Sequence, residues 1–437
     1  MINIVHIFVP LVLLLSNQVF ASRTCDTLRY GSPESAGMLA KPLQDMVANM
    51  TAFTQSRNWG AATHQKVLPV EPGGTTLIAR NGIIVSHFAF GKRSLWASVN
   101  GYNGTELPID KQEATTKDTI YDMASLTKMF TTVAALRCID RRQLTLNGTV
   151  ASWLSSFAVN GKENITLQQL LTHTSGLQPD PMPGLWSGTY PTYAEKVNAI
   201  LNQTLQYTPG SRFVYSDLNF MTLMLVIETV TRKPLDENIR EYTSAMGMKD
   251  TFFNRNNVED IRQKPRMAVQ EFQIDVLGPD EPKRPQPIRG TVHDENAWAL
   301  NGVSGHAGLF STALDTARFC QMILNNGSYA GHQILSKESV DMIFTNYNAR
   351  FGDGYGHGAG FELDQYYTAG PMANLQAASH TGFTGTSMVI DRASGTLFIH
   401  MASRVHPSRN WSSNNIVRET VGAWVATALG RKVKFPF

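Results

Sequence analysis

The chain has 437 residues, of which 42% are hydrophobic and 17% charged, so it holds enough apolar material for a large core. That composition excludes a wholly disordered, collagen-like or disulfide-framework protein, and the length predicts one to three domains. The net charge of +3 is spread without any run of five or six like charges, which argues against a nucleic-acid-binding protein or a binder of anionic membranes.

The N-terminus has the pattern of a secretory signal peptide. An apolar run over residues 7–15, broken by Pro10, is followed by Val19-Phe-Ala21, which suits cleavage after Ala21. The run is shorter than the ~20 residues that a membrane span needs, although no Lys or Arg precedes it and a retained anchor is the alternative. We expect residues 1–21 to be removed, and the mature chain, without a membrane span, to be secreted or to reside in the secretory-pathway lumen. Glycosylation sequons follow at Asn49, Asn103, Asn147, Asn164, Asn202, Asn326 and Asn410.

The three cysteines, Cys25, Cys138 and Cys320, allow at most one internal disulfide bond. Cys138 and Cys320 lie in apolar runs with a helical pattern, which indicates buried thiols that pack as small hydrophobic groups. The chain has no Cys-x-x-Cys or His-Glu-x-x-His motif, so we predict neither a metal site nor a cofactor.

Hydrophobic periodicity predicts the main elements in chain order. Residues 40–55 form an amphipathic helix, and two β-rich runs at 75–80 and 83–90 flank Asn81-Gly82, the strongest short signal for a hairpin. Residues from about 123 to 300 are mostly helical in pattern. Beyond them the sequence predicts three strands and a final helix, over residues 360–366, 387–391, 396–402 and 415–429.

Strands at both ends of the chain and helices between them predict an α/β (α+β) fold. The simplest arrangement joins both ends in one antiparallel sheet flanked by helices, and inserts an all-helical lobe. This gives a discontinuous sheet lobe of residues 31–122 and 305–437 and a helical lobe of residues 123–304. A cleft between the two lobes is the expected site of function.

The segment Ser125-Leu-Thr-Lys128 is the first candidate for chemistry. It opens an apolar helical stretch, and residues three apart share one helix face, so Ser125 and Lys128 can approach each other. A lysine beside a hydroxyl can accept its proton and make it a nucleophile, and an unpaired N–H at the helix start can bind an oxyanion. The alternative is that Ser125 caps the helix and Lys128 is exposed.

Two further segments strengthen this hypothesis. Tyr215 lies in a turn that leads into an apolar helix, where its hydroxyl can shuttle a proton or its ring can simply pack against the helix. His380-Thr381-Gly382 precedes the strand that begins near residue 386, and its glycines let the backbone pass close to a ligand, or else only form a turn with His380 on the surface.

In this order, the three motifs resemble those of the serine β-lactamase and penicillin-binding-protein superfamily. The closest similarity is to its branch of class C β-lactamases, Family VIII carboxylesterases and D-stereospecific peptidases. The resemblance extends from about residue 31 to 429 and includes the segments Gly31-Ser-Pro-Glu-Ser-Ala-Gly37, Leu170-Leu-Thr-His-Thr-Ser-Gly-Leu177 and Gly305-His-Ala-Gly-Leu-Phe-Ser-Thr312.

The resemblance implies an acyl-enzyme mechanism without a metal. Ser125 attacks the acyl carbon, Lys128 accepts or relays its proton, and Tyr215 serves as partner base and later activates water. The backbone N–H groups of Ser125 and Phe383 bind the oxyanion, and His380 faces the leaving-group or carboxylate side of the substrate.

Three departures from the family pattern limit what the resemblance implies. Asp217 replaces the Asn of β-lactamases in this branch, and its charge is expected to keep Lys128 protonated and to give Tyr215 the larger role as base. Ser216-Asp217 half-matches the Ser-Asp-Asn motif of other branches, but Asn219 falls one residue late. His380 replaces the usual Lys and is neutral for much of the time near pH 7.

These departures favour a small-molecule esterase or amidohydrolase. The alternatives are a D-Ala-D-Ala peptidase, a β-lactamase, or a non-catalytic descendant that binds or assembles. We interpret His173 as a structural hydrogen-bonding residue, His306 as part of a loop that can line the cleft, and the segment from His293 to Glu295 as a loop rather than a metal cluster. The oligomeric state is not predicted.

Overall fold

The computed structural model describes residues 26–63, 68–273 and 284–436, so the predicted signal peptide lies outside the described residues, as does Cys25. The strands are β1 (Arg29–Tyr30), β2 (Gly73–Arg80), β3 (Ile83–Ser94), β4 (Trp96–Asn100), β5 (Asn103–Glu106), β6 (Glu113–Ala114), β7 (Tyr121–Asp122), β8 (Phe252–Phe253), β9 (Leu309–Ser311), β10 (Ser328–Tyr329), β11 (His332–Gln333), β12 (Glu362–Leu363), β13 (Ala377–Thr381), β14 (Ser387–Asp391) and β15 (Thr396–Ala402). The α-helices are α1 (Ala40–Thr51), α2 (Thr127–Asp140), α3 (Val150–Trp153), α4 (Leu167–Leu171), α5 (Tyr193–Leu201), α6 (Asp217–Thr231), α7 (Leu235–Ala245), α8 (Glu295–Ala299), α9 (Ala313–Leu324), α10 (Lys337–Phe344), α11 (Tyr366–Ala369) and α12 (Asn415–Ala428).

The main sheet has the strand order β1-β3-β2-β15-β14-β13-β12, with β6 added by its pairing to β3. Its pairs are antiparallel except for β1 with β3, which is parallel. The pairing of β15 with β2 joins the first long hairpin of the chain to the last strands. The mixed fold with a largely antiparallel sheet flanked by helices is therefore confirmed, whereas the division into two lobes stays a prediction.

Alternation along the central strand explains how the sheet is covered on both faces. Leu397 and Ile399 of β15 enter the core that holds α2, α6 and α9, whereas Phe398 between them packs with α1 and α12 through Met46 and Val421. Full burial of each such side chain is worth about 1.5–3 kcal/mol. Because both faces are covered, all seven residues of β15 are buried.

Most of the predicted elements are observed, and one is wrong. The first helix ends at Thr51, the hairpin turns at Asn81-Gly82, and the strands over 387–391 and 396–402 and the last helix are present. The predicted strand over 360–366 shrinks to Glu362–Leu363, because Gly360 has a positive φ of 71° and Tyr366 begins α11. Strand β13 was not predicted, since Ala-Ala-Ser-His-Thr has little β propensity.

The two described cysteines, Cys138 in α2 and Cys320 in α9, are buried free thiols, as predicted. Burial raises the pKa of each thiol. Within the described residues, no helix combines the length and the hydrophobicity needed to cross a bilayer.

Candidate active site

Ser125 lies in a short 3-10 turn, Ala124–Leu126, between β7 and α2. The preceding residue, Ala124, has φ of +46°, a conformation uncommon for a residue with a side chain and one that costs on the order of 1–3 kcal/mol. The Asp122 carboxylate stabilises this turn by accepting a bond of 2.8 Å from the Ala124 N–H. The turn leaves Ser125 partly exposed on the wall of a cavity.

Lys128 occupies the first turn of α2 and its side chain is 0% exposed. Helices α2 and α6 are apolar on most of their surface and pack against each other, so their contact excludes water. The Lys128 ammonium donates to Ser125 Oγ at 2.9 Å and to the His306 carbonyl at 3.2 Å, and lies 2.7 Å from Asp217 Oδ1. Burial lowers the pKa of Lys128, but the charge of Asp217 outweighs it and the pKa is raised, in agreement with the expectation from sequence.

Tyr215 and Asp217 reach the same ammonium because the residue between them is extended. Ser216 has φ of −143° and ψ of 122°, and residues i and i+2 of an extended segment project to the same side. The Lys128 ammonium lies 4.9 Å from the centroid of the Tyr215 ring, so the phenol is a neighbour of the Lys128–Ser125 pair. Burial raises the pKa of Tyr215 to about 12, even though the Lys128 charge acts to lower it.

Two threonine side chains hydrogen-bond the segment 382–386 to the backbone that precedes Ser125. Thr384 Oγ1 donates to the Asp122 carbonyl at 2.8 Å, and Thr386 Oγ1 donates to the Met123 carbonyl at 3.1 Å. A side chain on Gly382 would place its Cβ 2.6 Å from the Met123 carbonyl oxygen, so only glycine allows this approach. The Phe383 ring is 48% exposed at the cavity.

His380 lies in β13, which was not predicted, and precedes the predicted strand, observed as β14. It does not line the cavity, and its role toward the substrate stays a prediction. It is only 2% exposed, and its ring centroid is 6.0 Å from that of Tyr215. Nδ1 bonds the Thr381 carbonyl at 2.8 Å, so the proton is on Nδ1 and Nε2 is an acceptor. Burial and the Lys128 charge lower the pKa of His380 to about 3, and the side chain is neutral near pH 7.

The cavity next to Ser125 has a volume of about 410 Å³. Four of the predicted site residues line it, namely Ser125, Tyr215, Asp217 and Phe383. Lys128, His380, Thr381 and Gly382 lie behind its wall. The roles that the sequence assigned to these eight residues stay predictions.

Much of the cavity wall was not singled out from the sequence. Its apolar side includes Pro181, Met182, Trp186 and Phe383, and its polar side includes Asp180, Asp217, His293, Asp294, Glu295, Asn296 and Arg409. An N-cap pattern, an Asp followed by the helix Glu295–Ala299, was the available signal for part of this wall.

The charges on the polar side are largely paired. Arg409 bonds Glu271 at 2.7 Å and Glu295 at 2.6 Å. His306 Nε2 pairs with Asp294 at 2.9 Å, and although burial lowers the pKa of His306, the Asp294 charge raises it overall. Burial, and then repulsion by Asp217 and Asp294, raise the pKa of Asp180 to about 6.

Asp217, Asp294 and His306 place potential metal-ligand atoms within 4.8 Å of one another. Asp294 and His306 are already bonded together, and the Lys128 ammonium lies against Asp217. A cation at this point would compete with that ammonium. The residues from His293 to Glu295 do not converge on one point: His293 bonds Glu271, and Glu295 bonds Arg409.

The side chains of His306 and Asn219 do not line the cavity. His306 is 1% exposed and meets Lys128 through its carbonyl, while the neighbouring Ala307 lines the cavity. Asn219, one residue past the position of the Ser-Asp-Asn pattern, donates to His173 Nδ1 at 3.1 Å instead of facing the cavity.

Comparison with known proteins connects this geometry to a family. A family model described as Beta-lactamase matches residues 69–422. A protein of Escherichia coli O157:H7, provisionally described as a D-alanyl-D-alanine carboxypeptidase, is 30% identical over 408 residues, which cover 87% of this chain and 86% of that protein.

Two solved structures share the fold at low sequence identity. The octameric penicillin-binding protein homologue from Pyrococcus abyssi has a TM-score of 0.64 at 19% identity, over 90% of this chain and 78% of that one. A family VIII carboxylesterase has a TM-score of 0.63 at 17% identity, over 89% and 97% of the two chains.

Proposed function

The chain belongs to the β-lactamase family as a serine hydrolase, and from this premise we propose that it hydrolyses small esters or amides without a carboxylate, through an acyl-enzyme on Ser125. One observation carries the proposal. The Lys128 ammonium lies 2.9 Å from Ser125 Oγ and 4.9 Å from the centroid of the Tyr215 ring, and Ser125 and Tyr215 both line the cavity. A nucleophile in contact with a proton-transfer group is the arrangement that acyl transfer requires.

Acylation begins in the small fraction of molecules in which Tyr215 is a phenolate, since burial raises its pKa to about 12. Ser125 Oγ attacks the acyl carbon, and its proton passes to that phenolate. Lys128 stays charged because Asp217 holds its proton, so it has no free lone pair and acts by stabilising the negative charge on both oxygens. The protonated Tyr215 then gives its proton to the departing alcohol or amine. Tyr215 is again a phenolate and can take a proton from the water that attacks the acyl-enzyme. It then gives this proton to Ser125 Oγ as the bond to the acyl group breaks, which restores the starting state.

The tetrahedral intermediate needs donors for its oxyanion. The backbone N–H groups of Ser125 and Phe383 are the proposed donors, and one such donor is typically worth about 2.7–4 kcal/mol in the transition state. The threonine bonds to Asp122 and Met123 support this assignment, because they hold the turn that carries Phe383, between β13 and β14, against the backbone that precedes Ser125.

The charge of the cavity supports substrates without a carboxylate. Two cations at the site, Lys128 and Arg409, are paired with carboxylates, so an anionic substrate gains no unpaired cation from either of them. His380, at the position where the family usually has Lys, is buried and neutral. The apolar side of the cavity offers contact for an acyl or alkyl group.

The second candidate function is a D-Ala-D-Ala carboxypeptidase, which the 30% identity to the Escherichia coli protein favours. Its substrates end in a carboxylate, so matched substrates separate the two proposals. We expect kcat/KM for p-nitrophenyl butyrate to exceed that for p-nitrophenyl hemisuccinate by at least about tenfold, and a D-Ala-D-Ala peptide to be cleaved more slowly than its C-terminal amide. Equal or greater rates on both carboxylate-bearing compounds would favour the carboxypeptidase.

The acyl-enzyme itself is tested by Ser125→Ala. This variant is expected to lose ester hydrolysis and covalent labelling by a fluorophosphonate, while keeping its fold, because Ser125 is partly exposed and Ala fits its turn. Mass spectrometry of the labelled wild-type protein should find the adduct on Ser125. Unchanged turnover in the variant would refute the proposal, and labelling of the wild type without turnover would favour a non-catalytic descendant.

We further propose that the chain enters the secretory pathway and loses residues 1–21. The apolar run before Ala21 supports this, and so does the exposure of six of the seven sequon asparagines, all but the half-buried Asn49. N-terminal sequencing of the mature protein is expected to begin at Ser22. Recovery of the intact N-terminus from the same source would contradict the proposal.

A further inference from the structure

His173, which the mechanism does not use, contacts the segment that carries two of the proposed catalytic groups. It follows α4, has φ of +55° and is 1% exposed. Its Nδ1 accepts from the Ser216 N–H at 3.0 Å, and its carbonyl accepts from the Val214 N–H at 2.9 Å. Its ring lies 4.6 Å from the Tyr215 ring, centroid to centroid. One residue therefore holds the chain on both sides of Tyr215, through its backbone carbonyl before it and its side chain after it, and its ring packs against the Tyr215 ring.

The direction of these bonds defines the form of the imidazole. Nδ1 receives both the Ser216 N–H and the Asn219 amide N–H, at 3.0 and 3.1 Å, so its lone pair is the acceptor and the proton must be on Nε2. Burial lowers the pKa of His173, and the neighbouring charges lower it further. His173 is thus neutral, and it acts on the segment as a hydrogen-bond acceptor and as a packed ring.

His173 is itself fixed from the other side. Ser175 Oγ donates to Asn219 Oδ1 at 2.5 Å, which orients the Asn219 amide group so that its N–H faces the histidine. The residue before His173 is held by Asn348, whose amide donates to the Thr172 carbonyl at 3.1 Å. The acceptor is therefore built into the rigid contact between α4 and α6 and does not move freely with the loop.

We infer that His173 is a positioning residue, which fixes Ser216 in its extended conformation so that Tyr215 and Asp217 both face Lys128. This inference rests on the proposed acyl-enzyme function and adds to it a residue that touches no reacting atom. Without the acceptor, the Ser216 N–H would be left buried and unsatisfied, at a typical cost of about 1–3 kcal/mol, and the segment would be free to rotate toward another acceptor. Tyr215 and Asp217 would then no longer share one ammonium.

The test uses two substitutions that both tolerate the positive φ. His173→Asn keeps an acceptor, because its Oδ1 is the same number of bonds from Cα as His Nδ1, and Asn adopts the left-handed conformation readily. His173→Gly tolerates the same backbone conformation but has no acceptor. His87→Asn is the control for loss of a buried histidine elsewhere, since His87 lies in β3 and its Nδ1 bonds the Tyr30 hydroxyl at 2.8 Å, away from the residues that line the cavity.

The readout is the rate of fluorophosphonate labelling of Ser125 together with kcat and KM for a neutral ester. We expect His173→Gly to lower the labelling rate and kcat by about 10- to 100-fold with KM within about threefold of wild type, because misplaced groups lose transition-state contacts. We expect His173→Asn to recover to within about fivefold of wild type, and His87→Asn to leave kcat unchanged. Circular dichroism confirms that each variant is folded at the assay temperature.

Equal labelling rates in wild type and His173→Gly would overturn the inference, as would equal losses in the Gly and Asn variants. If His173→Gly does not fold, Asn219→Ala replaces it, and an unchanged kcat in that variant would likewise contradict the role. A failure of the proposed function is distinguishable, because the wild type itself would then show no adduct on Ser125.

Discussion

Asp217→Asn is the substitution that tests the charge arrangement most directly. It keeps the size of the side chain and an oxygen that can accept from Lys128, but it removes the negative charge 2.7 Å from a fully buried ammonium. Removing one partner of a buried ion pair typically costs about 3–5 kcal/mol, because the other charge stays buried without compensation. We therefore expect a loss of that size in the free energy of unfolding at pH 7.

The loss has an upper bound, because Lys128 can release its proton in the variant. Deprotonating a lysine of ordinary pKa at pH 7 costs about 1.4 kcal/mol for each of roughly 3.4 pH units, or about 5 kcal/mol. In the wild type, the pKa of Lys128 is raised, so its contribution is fully present at every pH below about 10.4. In the variant, burial lowers the pKa, the unfolded chain binds more protons, and stability rises with pH.

The expected signature is a difference in unfolding free energy that shrinks by up to about 1.4 kcal/mol per pH unit from pH 7 to pH 9. Urea unfolding at several pH values measures it. Asp236→Asn is the matched control, since Asp236 also lies in the first turn of a helix, α7, but pairs with a partly exposed Arg255. The control should lose about 1 kcal/mol or less at every pH. A pH-independent loss in Asp217→Asn, or a loss equal to that of the control, would refute the charge arrangement.

Three further predictions test other parts of the site. Gly382→Ala should slow fluorophosphonate labelling by at least about tenfold, because its Cβ would lie 2.6 Å from the Met123 carbonyl oxygen, whereas Gly188→Ala, with open space around its Cβ, should not. Burial raises the pKa of Tyr215 to about 12, so the phenolate fraction, and with it kcat/KM, should rise by up to about tenfold per pH unit between pH 7 and 9. A flat profile would contradict Tyr215 as the base, and Tyr215→Phe should abolish the rise. Asp294→Asn should destabilise the protein more at pH 5.5 than at pH 8.5 in urea unfolding. Asp294 raises the pKa of His306, so the stabilisation from this pair is present below the ordinary pKa of His and is lost as the pH rises through the pKa of the folded state. An equal loss of stability at both pH values would count against the pair.

The elements that the sequence predicted correctly are those whose own residues indicate their conformation. β2, β3 and β15 are long strands rich in residues that favour β structure. The hairpin turn requires positive φ at both central residues, which Asn-Gly adopts readily. β13 was missed because its Ala and Ser residues owe their conformation to the pairing of β14 and β12 on either side. Local propensity carries no information about such a tertiary pairing.

In the site too, contacts between residues close in sequence were predicted, whereas contacts that depend on tertiary structure were missed. Ser125 and Lys128 are three residues apart on one turn, so their contact follows from helix geometry. Arg409 and Asp294 meet the cavity from segments more than 100 residues apart, and no spacing rule connects them. For His380 the motif could be found in the sequence, but the direction of its side chain could not be predicted. Whether a strand residue faces a cavity or a core depends on the register of the sheet.

Two of the departures from the family pattern, Asp217 and His380, have related consequences for chemistry. Asp217 supplies a negative charge that keeps Lys128 protonated, so that ammonium already has a carboxylate partner inside the protein. His380 is neutral and buried, so the motif that usually presents a second cation presents none. A substrate carboxylate would therefore meet Asp217, Asp294 and Glu295 on the cavity wall while Lys128 and Arg409 are already paired. Both departures favour the same proposal, in which the substrate has no carboxylate and Tyr215 is a base that works best at alkaline pH.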